Sequence, residues 1–170
     1  MKGTKLIIVA LALAAGFVYA DAAADFNAAL AIYNTGKLEE ALPVFENIAG
    51  YAPARLYAGH CLHRLRRAPE AQAAYESARP LVANPETPAQ FTSALSVEIA
   101  IGRVLNTQRK FAQAEKVLQD ALSAFPQASA AARAAGYEVL INSLANQRKF
   151  ADLNRAAVAL ILADAERGGE

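Results

Sequence analysis

Two histidines and the single cysteine of the chain lie together in His60-Cys61-Leu62-His63, and these side chains are the ones best suited to hold a metal ion. His60 and His63 are one helical turn apart and share a face, whereas Cys61 points elsewhere. Two imidazoles alone make a weak site, and no Asp or Glu of the same helix supplies a third ligand. We therefore expect no metal and no cofactor, and we expect Cys61 to be a small buried core residue.

The sequence contains no arrangement of residues that is typical of catalysis. It has no glycine-rich phosphate loop, no nucleophile elbow and no pair of carboxylates spaced to face a histidine. Glu39, Glu40 and Glu70 fall in the first turns of predicted helices, where carboxylates complement the helix dipole. We expect a protein that is not an enzyme and that acts by binding.

Composition excludes several classes of protein. The 170 residues carry 17 Lys and Arg against 16 Asp and Glu, a formal net charge of +1, on a chain of the length of one domain. A nearly neutral chain has no general attraction to phosphate, so we expect no nucleic-acid partner. A single cysteine cannot close an intramolecular disulfide, and with two histidines it cannot complete a closed zinc module.

Residues 1–20 have the pattern of a secretory signal peptide. Two lysines precede an unbroken apolar run over 6–18, and small residues favour cleavage after Ala20. The run is shorter than the about 20 apolar residues that a spanning helix needs, and an uncleaved inner-membrane anchor is the alternative. We expect a mature chain that begins at Asp21, has no stable membrane insertion, and is periplasmic or secreted in a bacterium.

The mature chain has the pattern of an all-α protein with eight helices. Glycine and proline separate windows of helical length that carry apolar residues three and four positions apart. Thr87-Pro88-Ala89-Gln90 predicts a helix that begins at Pro88, with a hydroxyl cap and a Gln that completes a capping box. Pro43 is tolerated in the second helix only if that helix begins near Leu38, close to the proline.

One segment occurs twice. Gln108-Arg109-Lys110-Phe111-Ala112 recurs as Gln147-Arg148-Lys149-Phe150-Ala151, 39 residues later. Each copy follows one helix and opens another, so the repeating unit is a helical hairpin. Such internal repetition is typical of helical repeat arrays.

The pattern of the hairpins resembles the tetratricopeptide repeat (TPR) family over about residues 22 to 165. The resemblance is carried by Ala58-Gly59-x-x-Leu62 with Ala71-x-x-x-Tyr75-x-x-Ala78, and by Ile101-Gly102-x-x-Leu105 with Phe111-x-x-Ala114-x-x-x-Leu118-x-x-Ala121. Weaker copies are Ala29-x-x-Ile32 with Ala41-x-x-x-Phe45, and Ile141-x-x-Leu144 with Leu153-x-x-x-Ala157. The resemblance implies a right-handed α-α superhelix of about four hairpins, at 22–50, 52–83, 88–125 and 128–165.

The array departs from the regular family pattern. The equivalent positions Ala41, Ala71, Ala114 and Leu153 are 30, 43 and 39 residues apart, whereas the family repeats every about 34 residues. Leu153 stands where the family has a small residue, and Ala157 where it has an aromatic one. The fourth hairpin is therefore expected to pack differently from the others.

The resemblance also implies a concave groove lined by the first helix of each hairpin, which would hold an extended peptide or a partner helix. The groove candidates are Phe26, Leu30, Tyr33, Asn34, His60, His63, Arg64, Arg103, Asn106, Glu138, Asn142 and Asn146. Arginine and asparagine hold carboxylates and peptide backbone by directed hydrogen bonds, so a segment with an acidic or free-carboxylate end is complementary. We expect a protein-interaction module of the cell envelope.

Some of these residues have structural explanations as well. Arg64 lies in the last turn of its helix, where a cation complements the dipole and stays solvated. Phe26 and Tyr33 have the spacing of core aromatics. Phe26 and Leu30 also occupy the positions at which chaperone-binding relatives carry their Lys and Asn clamp, so chaperone binding is not expected.

The last helix is apolar on every face between Ala156 and Ala163, whereas repeat arrays normally end in a polar cap. Val158 aligns with Glu46, Glu76 and Gln119 of the other second helices. Leu162 aligns with Gly50, Pro80 and Ser123 of the same three hairpins. The alternative function is therefore a structural self-assembly subunit, for example a homodimer, that associates through Val158 and Leu162.

Overall fold

The computed structural model describes residues 21–168, which form eight α-helices. Residues 21–34 are helical and are named α1. The others are α2 (Leu38–Asn47), α3 (Ala52–Arg64), α4 (Ala68–Ala78), α5 (Pro88–Thr107), α6 (Phe111–Ala124), α7 (Ala130–Asn146) and α8 (Phe150–Arg167), with a short 3₁₀ helix at Arg79–Val82. The predicted signal peptide lies outside the described residues. Within the described part, no helix has the length and apolar character needed to cross a membrane.

The helices pack as sequential pairs, and each hairpin also packs on the next one. One core cluster joins the first two hairpins to α5, and a second joins α5 to α8. The all-α architecture of four hairpins predicted from the sequence is thereby confirmed. Cys61 is fully buried, as expected, and burial raises the pKa of its thiol to about 11.

Each hairpin turns through a residue in the left-handed backbone region. These residues are Gly36, Arg66, Arg109 and Arg148, with φ of 82°, 65°, 60° and 57°. In the second hairpin the next N–H, that of Arg67, donates to the Leu62 carbonyl at 2.9 Å, which is the Schellman pattern of a helix C-terminus. The three arginines therefore adopt a conformation that glycine adopts without strain.

Small residues on the first helix of a hairpin admit large ones from the second. A Cβ atom added at Gly59 would lie 2.3 Å from Cε1 of Tyr75, and one at Gly102 would lie 2.8 Å from Cγ of Leu118. The equivalent positions of the fourth hairpin hold Ile141, seven residues before its turn, and Ala157, nine residues after it. The order of small and large side chains is thus reversed in the last hairpin.

The repeated pentapeptide joins consecutive hairpins. Gln108 of the first copy donates from Nε2 to Oε1 of Gln72, at 3.0 Å, on the preceding second helix. Gln147 of the second copy donates in the same way to Oε2 of Glu115, at 2.8 Å. Gln72 and Glu115 both lie six residues after the turn residue of their hairpin, so the two glutamines make equivalent contacts.

The connection between the second and third hairpins, residues 79–87, is longer than the other two connections between hairpins. Its end is fixed by the predicted capping box, which is confirmed: Gln90 N–H donates to Thr87 Oγ1 at 3.3 Å, and the Gln90 side chain accepts from the Thr87 N–H at 3.0 Å. Its beginning is held by an ion pair between Arg79 and Glu98 at 2.6 Å.

Pro43 is the sixth residue of α2, which begins at Leu38 as expected. Its missing N–H costs one helical hydrogen bond, and its ring is exposed.

Candidate binding groove

The first helices of the four hairpins enclose a cleft of about 550 Å³, which we name the central cleft. Its polar and aromatic lining comprises Tyr33, Tyr57, His60, His63, Arg64, Tyr75 and Arg103, and its apolar lining comes from α3, α5 and α7. Four of the predicted groove residues on α1 and α3, and Arg103 of α5, are therefore brought together. This is the face on which the sequence predicts the groove.

His60 forms the inner wall of the central cleft. Its Nδ1 lies 2.9 Å from the hydroxyl oxygen of Tyr75, and its ring packs edge-on against Tyr57 with centroids 5.3 Å apart. Burial, together with the positive charge of Arg103 and the neighbouring His63, lowers the pKa of His60 to about 4. His60 is therefore neutral at pH 7 and adds no positive charge to the cleft.

His63 and Arg64 lie at the rim. Nε2 of His63 is 2.9 Å from Oγ1 of Thr107, and burial and the charges of Arg103 and Arg66 lower the pKa of His63. The Arg64 guanidinium lies over the Tyr33 ring, 5.1 Å from its centroid, in a cation–π contact. This contact holds Arg64 across the mouth of the cleft.

The central cleft carries positive charge that the described residues do not neutralise. Arg64 and Arg103 are both exposed, and neither belongs to any of the ion pairs found between residues 21 and 168. No Asp or Glu of the described chain lines this cleft. The arrangement favours a bound group with negative charge.

Arg103 also lines a second depression, of about 390 Å³, which continues the central cleft along α5 and α7. Here Asn106 donates from Nδ2 to the Val139 carbonyl at 3.1 Å and accepts from Ser143 Oγ at 2.9 Å. Glu138 and Asn142 also line this depression and are exposed. Asn106 is thus held by the protein, whereas Asn142 and Glu138 face outward.

Four of the predicted groove residues line neither depression. Phe26 and Leu30 pack against the first core cluster, and the Phe26 ring lies 5.3 to 5.7 Å, centroid to centroid, from Tyr57, Tyr51 and Phe45. Asn34 is exposed at the end of α1. Asn146 donates to the Asn142 carbonyl at 2.8 Å. For Phe26 the structural explanation given by its spacing describes the observed contacts.

A third depression of about 400 Å³ adjoins the central cleft and was not predicted from the sequence. We name it the linker pocket, because the connection 80–85 forms one wall and the starts of α3 and α5 form the others. Leu56 and Ser96 line both the linker pocket and the central cleft. The long spacing between the second and third hairpins was the one sequence signal that pointed to this segment.

The residues predicted for self-association lie on an exposed apolar face of α8. Val158 is 58% exposed and Leu162 is 60% exposed, and Ile161, which the sequence reasoning missed, is 67% exposed. Ile161 lies thirteen residues after the turn residue of its hairpin. The equivalent residues of the second and third hairpins are Arg79 and Leu122. Arg79 pairs with Glu98 of the next hairpin, and Leu122 packs 3.0 Å from the Cβ position of Gly136. Ile161 therefore occupies the position whose equivalents in the second and third hairpins contact the following hairpin, whereas Val158 and Leu162 align with positions that are exposed in the other hairpins.

Metal-binding groups do not converge in the described part of the chain. No three His, Cys, Asp or Glu side chains between residues 21 and 168 are placed to hold one ion. Nδ1 of His60 contacts the hydroxyl of Tyr75, and Nε2 of His63 contacts the hydroxyl of Thr107. Cys61 is buried in the core behind them.

The fold is an all-α stack of helical hairpins of the TPR-like class. Two solved structures of MamA share it: residues 41 to the end of MamA from Desulfovibrio magneticus RS-1, and the RS-1 ArsTM double mutant of MamA. Each superposes with a TM-score of 0.66 at 18% sequence identity, covering 85% of this chain and 76% or 75% of the MamA chain. No family model matches the sequence, and no curated protein matches it significantly. The likeness shows the fold.

Proposed function

We propose that the protein is a non-catalytic interaction module that binds an extended peptide segment or a partner helix in the central cleft. The observation that carries this proposal is the pair Arg64 and Arg103, which line one concave cleft to which the described residues contribute no carboxylate. Glu138, in the adjoining depression, forms no ion pair with Arg103. A segment with an acidic side chain or a free carboxylate supplies the missing charge. The TPR-like fold supports the choice of a protein partner.

The proposal is tested by capturing partners from cell-envelope extract with the wild-type protein and with an Arg64→Glu, Arg103→Glu variant. Both arginines are exposed, so the charge reversal leaves the core contacts of His60 and Tyr75 in place. The double variant Lys110→Glu, Arg148→Glu is the matched control, because both residues are exposed at hairpin turns, line neither depression and belong to none of the ion pairs of the described residues, and the total change of charge is the same. Partners retained by wild type and control but lost by the variant support the cleft; equal retention by all three contradicts it.

We further propose that the module works in the bacterial envelope, in the periplasm or outside the cell. The proposal is supported by the signal-like pattern of residues 1–20. N-terminal sequencing of the protein from fractionated cells tests it. A periplasmic or secreted chain that begins at Asp21 is the expected result; a chain retained in the inner membrane with Met1 in place supports the uncleaved anchor.

The apolar face of α8 favours a second candidate function, self-assembly. Three large apolar side chains within five residues, each more than half exposed, form a patch of the kind that marks an interface. Val158→Glu installs the residue type found at the equivalent Glu46 and Glu76, and Gln119→Glu is the control. Sedimentation equilibrium at high micromolar concentration is expected to show wild-type oligomers that Val158→Glu dissociates; a monomeric wild type contradicts the candidate function.

A further inference from the structure

The linker pocket is built by the segment that makes the second and third hairpins unusually far apart in sequence. Pro80 and Pro85 lie within the connection, and Pro88 begins α5, so three fixed φ angles limit the conformations of this wall. The Arg79–Glu98 ion pair and the Thr87–Gln90 capping box hold its two ends. The pocket is therefore formed before any ligand arrives, which lowers the entropic cost of filling it.

The hydroxyl groups that α5 contributes to the wall of the linker pocket are already engaged within that helix, Gln90 is engaged in the capping box, and Asn84 is the remaining polar side chain of the lining. The hydroxyl of Thr92 donates to the Pro88 carbonyl at 2.9 Å, that of Ser93 to the Ala89 carbonyl at 3.0 Å, and that of Ser96 to the Thr92 carbonyl at 2.7 Å. Together with Leu56, Leu81 and Val97, they leave a surface that offers few free donors. Its volume of about 400 Å³ is in the range of small ligand sites and accommodates a large apolar side chain.

The linker pocket shares a wall with the positively charged central cleft. Leu56 on α3 and Ser96 on α5 line both cavities, so an extended segment can enter one and continue into the other. Arg103 lies two turns further along α5 from Ser96, inside the central cleft. The groove thus presents an apolar site and a cationic site in a fixed order.

We infer that the groove recognises a composite motif: an extended peptide segment whose apolar side chain fills the linker pocket and whose neighbouring carboxylate, from Asp, Glu or a chain end, contacts Arg64 and Arg103. Charge complementarity selects the acidic end, and the preformed apolar pocket selects the side chain next to it. The inference rests on the proposed function and names the chemistry of its partner. Leu81, which is 42% exposed at the pocket wall, loses that exposure when the pocket is filled.

The experiment is a selection of random peptides of about twelve residues on the purified protein, followed by affinity measurements on the enriched sequences. We expect enriched peptides to carry Leu, Ile, Met or Phe within a few residues of Asp, Glu or the C-terminus. Ser93→Trp fills the linker pocket from an exposed position of α5, and we expect it to weaken these peptides about tenfold. Ser123→Trp, on an exposed face of α6, is the control and is expected to leave the affinity unchanged.

The outcomes separate the motif from the function on which it rests. Enriched peptides that need Arg64 and Arg103 but show no apolar preference, or that bind Ser93→Trp as well as wild type, overturn the composite motif and leave the proposed function standing. Selection that yields no peptide sensitive to Arg64→Glu and Arg103→Glu overturns both. Leu81→Gln, which changes the pocket without filling it, is expected to reduce the apolar preference and guards against a folding defect in Ser93→Trp.

Discussion

The ring of Tyr75 occupies the space in which Gly59 would carry a side chain: a Cβ atom there would lie 2.3 Å from Cε1 and 2.4 Å from Cδ1. Tyr75 is 1% exposed, and its hydroxyl meets His60, the neighbour of Gly59. The same ring thus sets the distance between α3 and α4 and orients the histidine in the wall of the central cleft. Packing of the second hairpin and geometry of the groove depend on one contact.

Gly59→Ala is expected to destabilise the protein by about 2 kcal/mol, because the rigid Tyr75 ring and its helix must move to admit a methyl group. Gly136→Ala is the matched control, since the nearest neighbour of its Cβ would be Cδ2 of Leu122, at 3.0 Å, the end of a flexible side chain, and the next atoms lie at ordinary contact distances of 3.5 and 3.6 Å. At Gly136 the higher helix propensity of alanine offsets the cost of this close contact. Urea unfolding of both variants measures the difference; equal stabilities would show that Tyr75 does not limit the approach of the helices.

His60 is expected to make stability depend on pH between about 6.5 and 4. Burial and Arg103 lower the pKa of folded His60 to about 4, so between these values the unfolded chain binds a proton that the folded chain does not. The contribution of neutral His60 to the free energy of unfolding is fully present above pH 6.5. It falls by up to about 3 kcal/mol as the pH is lowered to about 4. Unfolding of wild type and His60→Gln from pH 7.5 to 4 tests this; parallel curves would contradict it.

Arg109→Gly is expected to stabilise the protein by about 0.5 kcal/mol. Arg109 has φ of 60°, and relief of the strain that a side chain causes there exceeds the entropy that glycine gains in the unfolded chain. Gln113→Gly, at an exposed position inside α6, relieves no strain and is expected to destabilise by about 1 kcal/mol. Urea midpoints at constant slope measure both changes; a shift of the same sign for the two variants would refute the explanation.

Lys149→Met is expected to weaken the junction of the third and fourth hairpins by about 1–2 kcal/mol at pH 7, because it removes one charged donor from the buried Glu115. Burial raises the pKa of Glu115, but the hydrogen bonds from Lys149 and Gln147 outweigh it and hold the pKa below its ordinary value. The contribution is therefore present above the unfolded pKa and disappears as the pH falls through the folded one. A double-mutant cycle with Glu115→Gln isolates the pair; a coupling energy of zero at pH 7 would contradict it.

The helices and their order follow from short-range signals in the sequence. The capping box at Thr87 and the turn sequence around Arg109 involve residues within one turn of each other, and both were predicted correctly. The burial of Tyr75 and Phe45 follows from the order of small and large residues in the repeat. Local propensity and repeat pattern therefore sufficed for the fold.

The site depends on contacts between distant residues, which the sequence alone does not rank. Periodicity does not distinguish Phe26 from Tyr33. Both rings pack among aromatic residues against the first core cluster, but Tyr33 also lines the central cleft and Phe26 does not. The linker pocket arises from a connection that has no counterpart in the regular repeat, so no repeat pattern predicts its wall. Ile161 was missed because its equivalents, Arg79 and Leu122, both contact the next hairpin but differ in polarity, so the sequence shows no common residue type at this position.

Ile161 lies on the side of the fourth hairpin on which a following hairpin would pack, and this position has a consequence for the symmetry of an assembly of copies. In the second and third hairpins, the side chain at this position contacts the first helix of the next hairpin, so the contact joins two different surfaces. Copies that meet through α8 of each form a two-fold, closed pair, and growth ends there. A copy that offers α1 to this face instead continues the array in a heterologous, open-ended manner, and the resulting filament would extend the groove from one molecule into the next.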